Sequence, residues 1–166
     1  MNDRHTLLLM RHAKSDYPSG VADHDRPLAP RGIREAGLAG DWLRANMPPV
    51  DAVLCSTATR ARQTLQNTRV TAPARYSEWL YGAAPGTVIE EVNATAEDVG
   101  TLLVVGHEPT TSALALLLAD GGTDDAVVER ISTKFPTSAI AVLTVPCPWA
   151  ELEPGRAALT GFEVPR

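Results

Sequence analysis

An apolar segment near the start of the chain, residues 7–10, ends on the adjacent pair Arg11 and His12. Two ionisable side chains are costly at the end of a buried strand unless they face a cavity or a ligand. An arginine fork binds phosphate oxygens in a bidentate manner, and a neutral histidine can act as a nucleophile. The pair therefore indicates a site that could hold a phosphoryl group and attack it.

Two further apolar segments lead to the same residue types. Residues 102–105 are followed after one glycine by His107, and residues 52–56 are followed shortly afterwards by Arg60. Parallel strands of an α/β sheet present their carboxyl ends at one edge, which is where ligands bind. We therefore expect these side chains to meet the first pair at a single edge of a sheet.

Phosphoryl transfer suits this set of residues. The transferred group carries negative charge, which positioned cations and hydrogen-bond donors stabilise. Arg11 and Arg60 would supply cations that keep their protons, and these cations disfavour protonation of His12, which stays neutral for attack. His107 could donate to a phosphate oxygen. The helix predicted after His107 would point its N-terminal amides in the same direction.

The pattern of apolar residues predicts an α/β fold, a three-layer sandwich with a largely parallel central sheet flanked by helices. Strands are predicted over residues 6–10, 51–55, 75–77, 101–105, 139–145 and 157–164, the last at an edge. Helices are predicted over residues 31–47, around Arg60, and over residues 87–94 and 110–119. Ser56 or Thr57 is the predicted N-cap of the second helix, and Pro109 the first residue of the last. Helical spacing predicts that one face of the first helix is buried, comprising Ile33, Ala36, Gly40, Leu43 and Met47.

Composition limits the classes of function. The 166 residues are expected to form a single domain, 1–166, and the formal net charge of −5 argues against a nucleic-acid partner. The apolar runs 6–10 and 113–119 are too short for a signal-peptide core or a membrane span, so we expect no membrane partner. Cys55 and Cys147 form no CxxC pair, which favours a reducing, cytoplasmic compartment. Cys55 is expected to fill space in the core.

Other chemistries lack their motifs. The chain contains no GxxxxGK[ST], GxGxxG or GxSxG sequence. Its four histidines are not spaced as metal ligands, so we expect no metal and no cofactor, and we expect His5 and His24 to face solvent.

Several short motifs together resemble the histidine phosphatase superfamily, which includes phosphoglycerate mutases and many phosphatases. They are Arg11-His12-Ala13, Ser56-x-x-x-Arg60-Ala61-x-x-Thr64 and Gly106-His107. Four further segments resemble its SixA-type phosphohistidine phosphatase branch: Arg11-His12-Ala13-Lys14-Ser15, Asp25-Arg26-Pro27-Leu28, Val105-Gly106-His107-Glu108-Pro109 and Lys134-Phe135-Pro136-Thr137. The resemblance covers nearly the whole chain. It implies a phosphoglycerate mutase-like fold.

The resemblance also implies roles for the site residues. In that family the first histidine is phosphorylated and then hydrolysed, which corresponds to His12. The phosphate pocket corresponds to Arg11, Arg60 and His107, with no metal or cofactor. Ala13 stands where most of the superfamily has glycine, which leaves the conformation of this turn open.

The general acid is a separate question. Glu78, in Glu78-Trp79-Leu80-Tyr81-Gly82, resembles the superfamily's acid-bearing segment, although the SixA branch lacks a clear acid. Glu78 is therefore either the acid or a solvated loop carboxylate. Asp23 and Asp25 are weaker candidates, and Asp25 is expected to cap a helix or to pair with Arg26 or Arg31. Four residues could extend the pocket toward the substrate or be ordinary loop residues: Lys14, Ser15, Arg26 and Lys134.

Together these observations predict a metal-independent phosphatase that acts through a phosphohistidine intermediate on His12. The expected substrate is phosphohistidine in a signalling protein. The alternatives are a small-molecule phosphomonoesterase for sugar or nucleotide phosphates, and a catalytically silent module that binds a phosphorylated partner. The presence of a nucleophile beside Arg11 argues against the silent module. We expect a monomer.

Overall fold

A six-stranded sheet runs through the computed structural model, which describes residues 4–166. The strand order is β3-β2-β4-β1-β5-β6. Strands β1 to β4 are parallel to one another, β5 pairs with β1 in the antiparallel direction, and β6 at the edge pairs antiparallel with β5. The strands are β1 (His5–Arg11), β2 (Ala52–Ser56), β3 (Ala74–Ser77), β4 (Thr101–Gly106), β5 (Ile140–Val145) and β6 (Ala158–Glu163).

Five α-helices cover the two faces of this sheet. They are α1 (Pro30–Asn46), α2 (Thr59–Thr68), α3 (Pro85–Asn93), α4 (Thr110–Leu118) and α5 (Asp125–Thr133). Short 3₁₀ helices occupy Asp23–Asp25, Glu78–Leu80 and Trp149–Glu151. None of the helices in residues 4–166 has the length and hydropathy needed to cross a membrane.

Alternation along the central strands divides the core between the two faces. Leu8 and Met10 of β1 belong to one apolar cluster with residues of α1 and α2. Leu7 and Leu9 belong to the other cluster, with residues of α3, α4 and α5. Because successive side chains of a strand point to opposite faces, β1 is buried on both sides and lies in the middle layer. The predicted three-layer α/β sandwich is confirmed.

The central register aligns the two histidines. Arg11 of β1 pairs with Gly106 of β4, so His12 and His107 are the residues that follow each strand at the same level. The backbone N–H of His12 continues the ladder by donating to the carbonyl of Gly106 at 2.9 Å. The two strands therefore deliver both histidines to the same edge.

Helix α5 was not predicted from the sequence, which indicated only a turn there. Its β-branched residues favour strands, but Asp124 caps it by accepting a hydrogen bond from the N–H of Ala126 at 2.9 Å. Val127 and Ile131 are buried one turn apart. Tertiary burial therefore outweighs local propensity in this segment.

The buried face of α1 differs from the prediction at Ile33, and Met47 lies just beyond the helix as its C-cap, partly buried. Ile33 is 49% exposed, whereas Gly32, Ala36 and Gly40 are buried. The smallest residues, rather than the largest, face inward because α1 approaches neighbouring backbone closely. A Cβ on Gly32 would lie 2.1 Å from the carbonyl oxygen of Lys14.

Two helix starts also differ from the prediction. Ala58, not Ser56 or Thr57, is the N-cap of α2, and the Ser56 Oγ accepts a hydrogen bond from its N–H at 3.2 Å. Pro109 is the N-cap of α4 rather than its first helical residue.

His5 is buried, which contradicts the expectation that it faces solvent. Its ring stacks on Trp149 with centroids 4.5 Å apart, and its Nδ1 lies 3.1 Å from the carbonyl oxygen of Cys147. Cys55 is buried in the core as predicted.

Gly40→Ala is expected to lower the free energy of unfolding by about 1–3 kcal/mol, because its methyl group would lie 2.0 Å from the carbonyl oxygen of Thr68. Gly37→Ala is the matched control on the same helix, where the nearest atom would be the Asn67 carbonyl oxygen at 3.8 Å. That variant should gain about 0.5–1 kcal/mol from lower backbone entropy in the unfolded chain. Urea unfolding measures both, and equal effects would contradict the proposed close approach of α1 to α2.

Candidate active site

A cavity of about 660 Å³ lies at the carboxyl edge of the sheet, and Arg11, His12, Arg60 and His107 all line it. These are the four residues that the spacing of the apolar segments singled out. The structure therefore brings all of them into one site.

The His12 ring is oriented by the backbone carbonyl of the next residue, Ala13. Its Nδ1 lies 2.7 Å from the carbonyl oxygen of Ala13, an oxygen that can only accept a hydrogen bond. The Nδ1 atom therefore carries the proton, and Nε2 of the neutral ring has a free lone pair. The ring is 8% exposed and lies 5.2 Å from the His107 ring, measured between centroids.

The turn after His12 is fixed to helix α2. The N–H of Ala13 donates to the Thr64 Oγ at 2.8 Å, and this hydroxyl donates to the Arg60 carbonyl oxygen at 2.7 Å. The Ala13 methyl group packs with Leu28 and Ala36 in a small buried cluster. Ala13 is not among the residues with positive φ, so the turn needs no glycine at this position.

Burial keeps both histidines neutral. The pKa of His12 is lowered to about 3, mainly by desolvation and in smaller part by His107, Arg60 and Arg11, while the hydrogen bond to the Ala13 carbonyl oxygen opposes this shift. Desolvation likewise lowers the pKa of His107 to about 4, with Arg60 as the next cause. His12 is therefore unprotonated, as a nucleophile must be, throughout the neutral range.

The two guanidinium groups are held by backbone carbonyls. Arg11 donates from Nη1 to the Phe135 oxygen at 2.8 Å, and Arg60 donates from Nη1 to the Asp23 oxygen at 2.6 Å. Within residues 4–166 the buried Nε atom of each arginine has no hydrogen-bond partner. A guanidinium carries five N–H donors, and the described contacts engage one in Arg11 and two in Arg60, so both arginines retain donors for an anion.

Asp23 is the main counter-charge of the site, a role that the sequence analysis missed. Its carboxylate pairs with Arg60 at 3.1 Å and with Arg26 at 3.0 Å, and it accepts a hydrogen bond from the hydroxyl of Tyr81. These hydrogen bonds, that of Tyr81 first, hold the pKa of Asp23 well below its usual range. Asp23 is therefore ionised at neutral pH and cannot supply a proton there.

Asp25 does not make the pair expected of it. Its carboxylate lies 3.6 Å from the Nδ1 of His24, whereas Arg26 pairs with Asp23 and Arg31 pairs with Glu35. His24 is only partly exposed, and its Nε2 lies 3.0 Å from the Thr57 hydroxyl.

Lys14, Ser15 and Arg26 also line the cavity. Arg26 is engaged with its neighbours, since it donates to the Ser15 Oγ at 2.7 Å and lies over the Tyr17 ring at 4.0 Å. It therefore supports the wall of the cavity and holds Asp23. Lys14 lies 6.0 Å from the centre of the Tyr17 ring.

Ser56 and Tyr81 fix the His107 ring. The Nε2 of His107 lies 2.8 Å from the Ser56 Oγ. The Tyr81 ring packs edge-on against the His107 ring, with their centroids 5.5 Å apart. Ser56 opens the motif that also contains Arg60, but its contact with His107 was not predicted from the sequence.

The second and third amides of helix α4 are engaged within the helix, whereas Thr110, its first residue, lines the cavity, so the expectation that this helix start faces the site stays a prediction for Thr110. The Thr111 N–H donates to the His107 carbonyl oxygen at 2.9 Å, and the Ser112 N–H donates to the Glu108 carboxylate at 2.7 Å. The second carboxylate oxygen of Glu108 accepts from the Ser112 hydroxyl at 2.7 Å. Glu108 lines the cavity, but both its oxygens are therefore occupied as acceptors.

Two predicted residues lie elsewhere. Glu78 does not line this cavity but a neighbouring one, so its role as the general acid remains a prediction. Lys134 follows α5 and lines a separate surface cavity, although the adjacent Phe135 and Thr137 contact the site.

The residues that the sequence analysis missed are joined to the site by long-range contacts. Asp23 meets Arg60 across 37 positions and Tyr81 across 58. Neither contact leaves a periodic or local signal in the sequence.

Across residues 4–166, no group of three or more His, Cys, Asp or Glu side chains is arranged to hold a metal ion.

Acidification from pH 6.5 to about pH 4.5 is expected to lower the free energy of unfolding by about 2–3 kcal/mol for each of His12 and His107. Folding lowers the pKa of both groups, so the unfolded chain binds protons over this range and the folded site does not. Asp23, whose pKa is also lowered, loses its contribution only at lower pH.

Urea unfolding at the two pH values tests this expectation. The double variant His12→Gln/His107→Gln should have a shallower pH dependence than the unchanged chain. An equal dependence would contradict the burial of two neutral histidines in this site.

The fold and this cluster define a phosphatase of the phosphoglycerate mutase-like α/β class. The model of the histidine phosphatase superfamily (branch 1) matches residues 7–103, and the chain belongs to this family. A phosphoglycerate mutase from Plasmodium falciparum has the same fold, with a TM-score of 0.64 at 18% identity over 99% of this chain and 94% of that one.

Relatives and solved structures point to the SixA branch. An uncharacterized protein of Mycobacterium tuberculosis H37Rv is 76% identical over 95% of this chain and 100% of its own length. The phosphohistidine phosphatase SixA of Escherichia coli K12 is 30% identical over 84% of each chain.

Among solved structures, a candidate phosphohistidine phosphatase SixA from Nakamurella multipartitia has a TM-score of 0.90 at 40% identity, covering 98% of this chain and 96% of that one. The protein histidine phosphatase SixA in complex with tungstate has a TM-score of 0.79 at 27% identity, covering 96% and 97%. Membership in the family and these SixA neighbours make the chain a phosphatase.

Proposed function

We propose that the chain hydrolyses phosphohistidine in a signalling protein through a phosphorylated His12, without a metal ion. The buried, neutral ring of His12, whose Nδ1 is bound to the Ala13 carbonyl oxygen, supports attack through Nε2. Arg11, Arg60 and His107 bind the phosphoryl oxygens, as the unengaged guanidinium donors of both arginines support.

The reaction proceeds in two displacements. In the first, the Nε2 lone pair of His12 forms a bond to phosphorus while the bond from phosphorus to the substrate's ring nitrogen breaks. The electron pair stays on that nitrogen, and the substrate ring, protonated on its other nitrogen, leaves as neutral imidazole. In the second, a water oxygen attacks phosphorus, the electron pair returns to Nε2, and the water proton passes to the phosphate.

The contacts of the carboxylates that line the cavity indicate which substrate is favoured. Asp23 is ionised and bound to Arg60, Arg26 and Tyr81, and Glu108 accepts hydrogen bonds on both oxygens. Among the described residues, these are the carboxylates that line the cavity. An alkoxide leaving group requires a proton from the enzyme, whereas a phosphohistidine ring that already carries a proton on its other nitrogen leaves as neutral imidazole, whose conjugate acid has a pKa of about 6.5. The cavity therefore favours a P–N bond over a phosphate ester.

The relatives support the same reaction. The Escherichia coli relative is named a phosphohistidine phosphatase, and a SixA structure was determined with tungstate, an oxyanion.

We also propose one domain over residues 1–166, because the sheet includes strands from His5 to Glu163. Two free, buried cysteines support a cytoplasmic, reducing location. We also propose that the chain is a monomer.

A substrate panel tests this function. One preparation is assayed with a phosphohistidine protein, a sugar phosphate, a nucleoside monophosphate and p-nitrophenyl phosphate. The kcat/KM for the phosphohistidine protein should exceed that for the esters by about 100-fold or more, the usual contribution of a general acid. Glu78→Gln should slow ester hydrolysis more than phosphohistidine hydrolysis.

Other outcomes would replace the proposal. Faster turnover of a sugar or nucleotide phosphate, abolished by Glu78→Gln, would make the chain a small-molecule phosphomonoesterase. Tight binding of phosphohistidine protein with no turnover of any substrate would make it a silent binding module.

A further inference from the structure

A second cavity, of about 510 Å³, adjoins the catalytic one. The two share Tyr81, Gly82 and Ala83 as a common wall. The second cavity is therefore within reach of a substrate whose phosphoryl group lies beside His12.

Trp79 lines the second cavity and is 67% exposed. Two other exposed rings are covered by arginines, Tyr17 by Arg26 at 4.0 Å and Tyr76 by Arg62 at 5.2 Å. In the part of the chain that the structure describes, no cation or ring lies against the indole of Trp79. Tryptophan is the strongest cation–π acceptor among the side chains, so this platform is suited to a cation from elsewhere.

Glu78 lines the same cavity beside this indole. Its exposed carboxylate makes no hydrogen bond or ion pair with any residue in 4–166. A carboxylate without a partner beside an uncovered indole face is an arrangement that binds an ammonium or guanidinium group. The cationic Arg11 and Arg60, by contrast, lie on the catalytic side of Tyr81.

We propose that this second cavity binds a lysine or arginine side chain of the phosphorylated partner, close in its sequence to the phosphohistidine. The inference rests on the proposed function and deepens it, because it specifies which phosphohistidines are preferred. The charges are complementary, since the anionic phosphoryl group meets the arginines and the basic side chain meets Glu78 and Trp79. The chain's net charge of −5 also favours a basic partner surface.

Histidine peptides phosphorylated with phosphoramidate test this inference. In matched peptides, one residue within three positions of the phosphohistidine is lysine, alanine or glutamate. The kcat/KM should be about tenfold higher for the best lysine peptide than for its glutamate counterpart, mainly through KM, because a cation–π contact and an exposed ion pair each contribute a small factor.

Three variants test which residues cause the preference for lysine over glutamate in the peptide. Trp79→Ala should reduce the lysine-to-glutamate ratio, and Glu78→Lys should reverse it. Tyr76→Ala is the matched control, an exposed aromatic side chain that lines neither cavity, and it should keep the ratio of the unchanged chain.

The outcomes separate this inference from the function on which it rests. Equal hydrolysis of all three peptides, or a ratio unaffected by Trp79→Ala and Glu78→Lys, would overturn the inference and leave the phosphohistidine phosphatase intact. Hydrolysis of esters but of none of the peptides would overturn the proposed function and the inference together.

Discussion

His12→Ala is expected to abolish turnover, with a loss in kcat on the order of 10⁴-fold or more, because the variant lacks the group proposed to form the covalent intermediate. The fold should persist, since His12 lies beyond the end of β1 and at the wall of the cavity rather than in the two main apolar clusters. Steady-state kinetics on a phosphohistidine protein measures the loss, and urea unfolding verifies the fold.

A second outcome of this experiment would be informative. If His12→Ala retained activity within about tenfold of the unchanged chain, the attacking group would be water or a different side chain. The account of His12 as nucleophile would then be wrong, although the cavity could still bind phosphate.

Arg60→Ala should lower kcat/KM by about 100- to 1,000-fold, the usual effect of removing one donor to a developing charge. Arg60 is buried, lines the cavity and retains guanidinium donors that Asp23 does not occupy, which are proposed to bind the phosphoryl group. Arg60→Lys should recover only part of the loss, because an ammonium group cannot replace the planar fork. Inhibition by vanadate, measured in parallel, should weaken in the same order.

Arg62→Ala is the matched control for this series. It removes a guanidinium from the same helix, but one that lies over the Tyr76 ring and outside the catalytic cavity. Its kcat/KM should be unchanged. Comparable losses in Arg60→Ala and Arg62→Ala would indicate a general effect of charge on α2 and would contradict a specific phosphate contact.

The fold class was predictable because the strands that position the site are locally encoded. Residues 102–105 are apolar without interruption, which is typical of a strand buried on both faces, and β4 is buried along its whole length. The same local pattern at β1 located Arg11 and His12 at a strand end. Arg60 and His107 followed from equivalent patterns, and all four line one cavity.

The parts that were not predictable depend on contacts between distant segments. Ile33 has the right spacing for the buried face of α1, but the close approach of Gly32 and Gly40 to backbone rotates that face away from it. Asp23 carries no motif, and its role follows from its contacts with Arg60 and Tyr81. Helix α5 is stabilised by burial of Val127 and Ile131 against the propensity of its residues.

The central claim is a covalent phosphate on His12, and trapping it is the most direct test. Rapid quenching in alkali during turnover of a labelled phosphohistidine protein should yield a labelled chain whose phosphate is stable in base and labile in acid. Peptide mapping should locate the label on His12, at Nε2, because Nδ1 is bound to the Ala13 carbonyl oxygen. Full turnover with no label on His12, or with the label on another residue, would contradict the account.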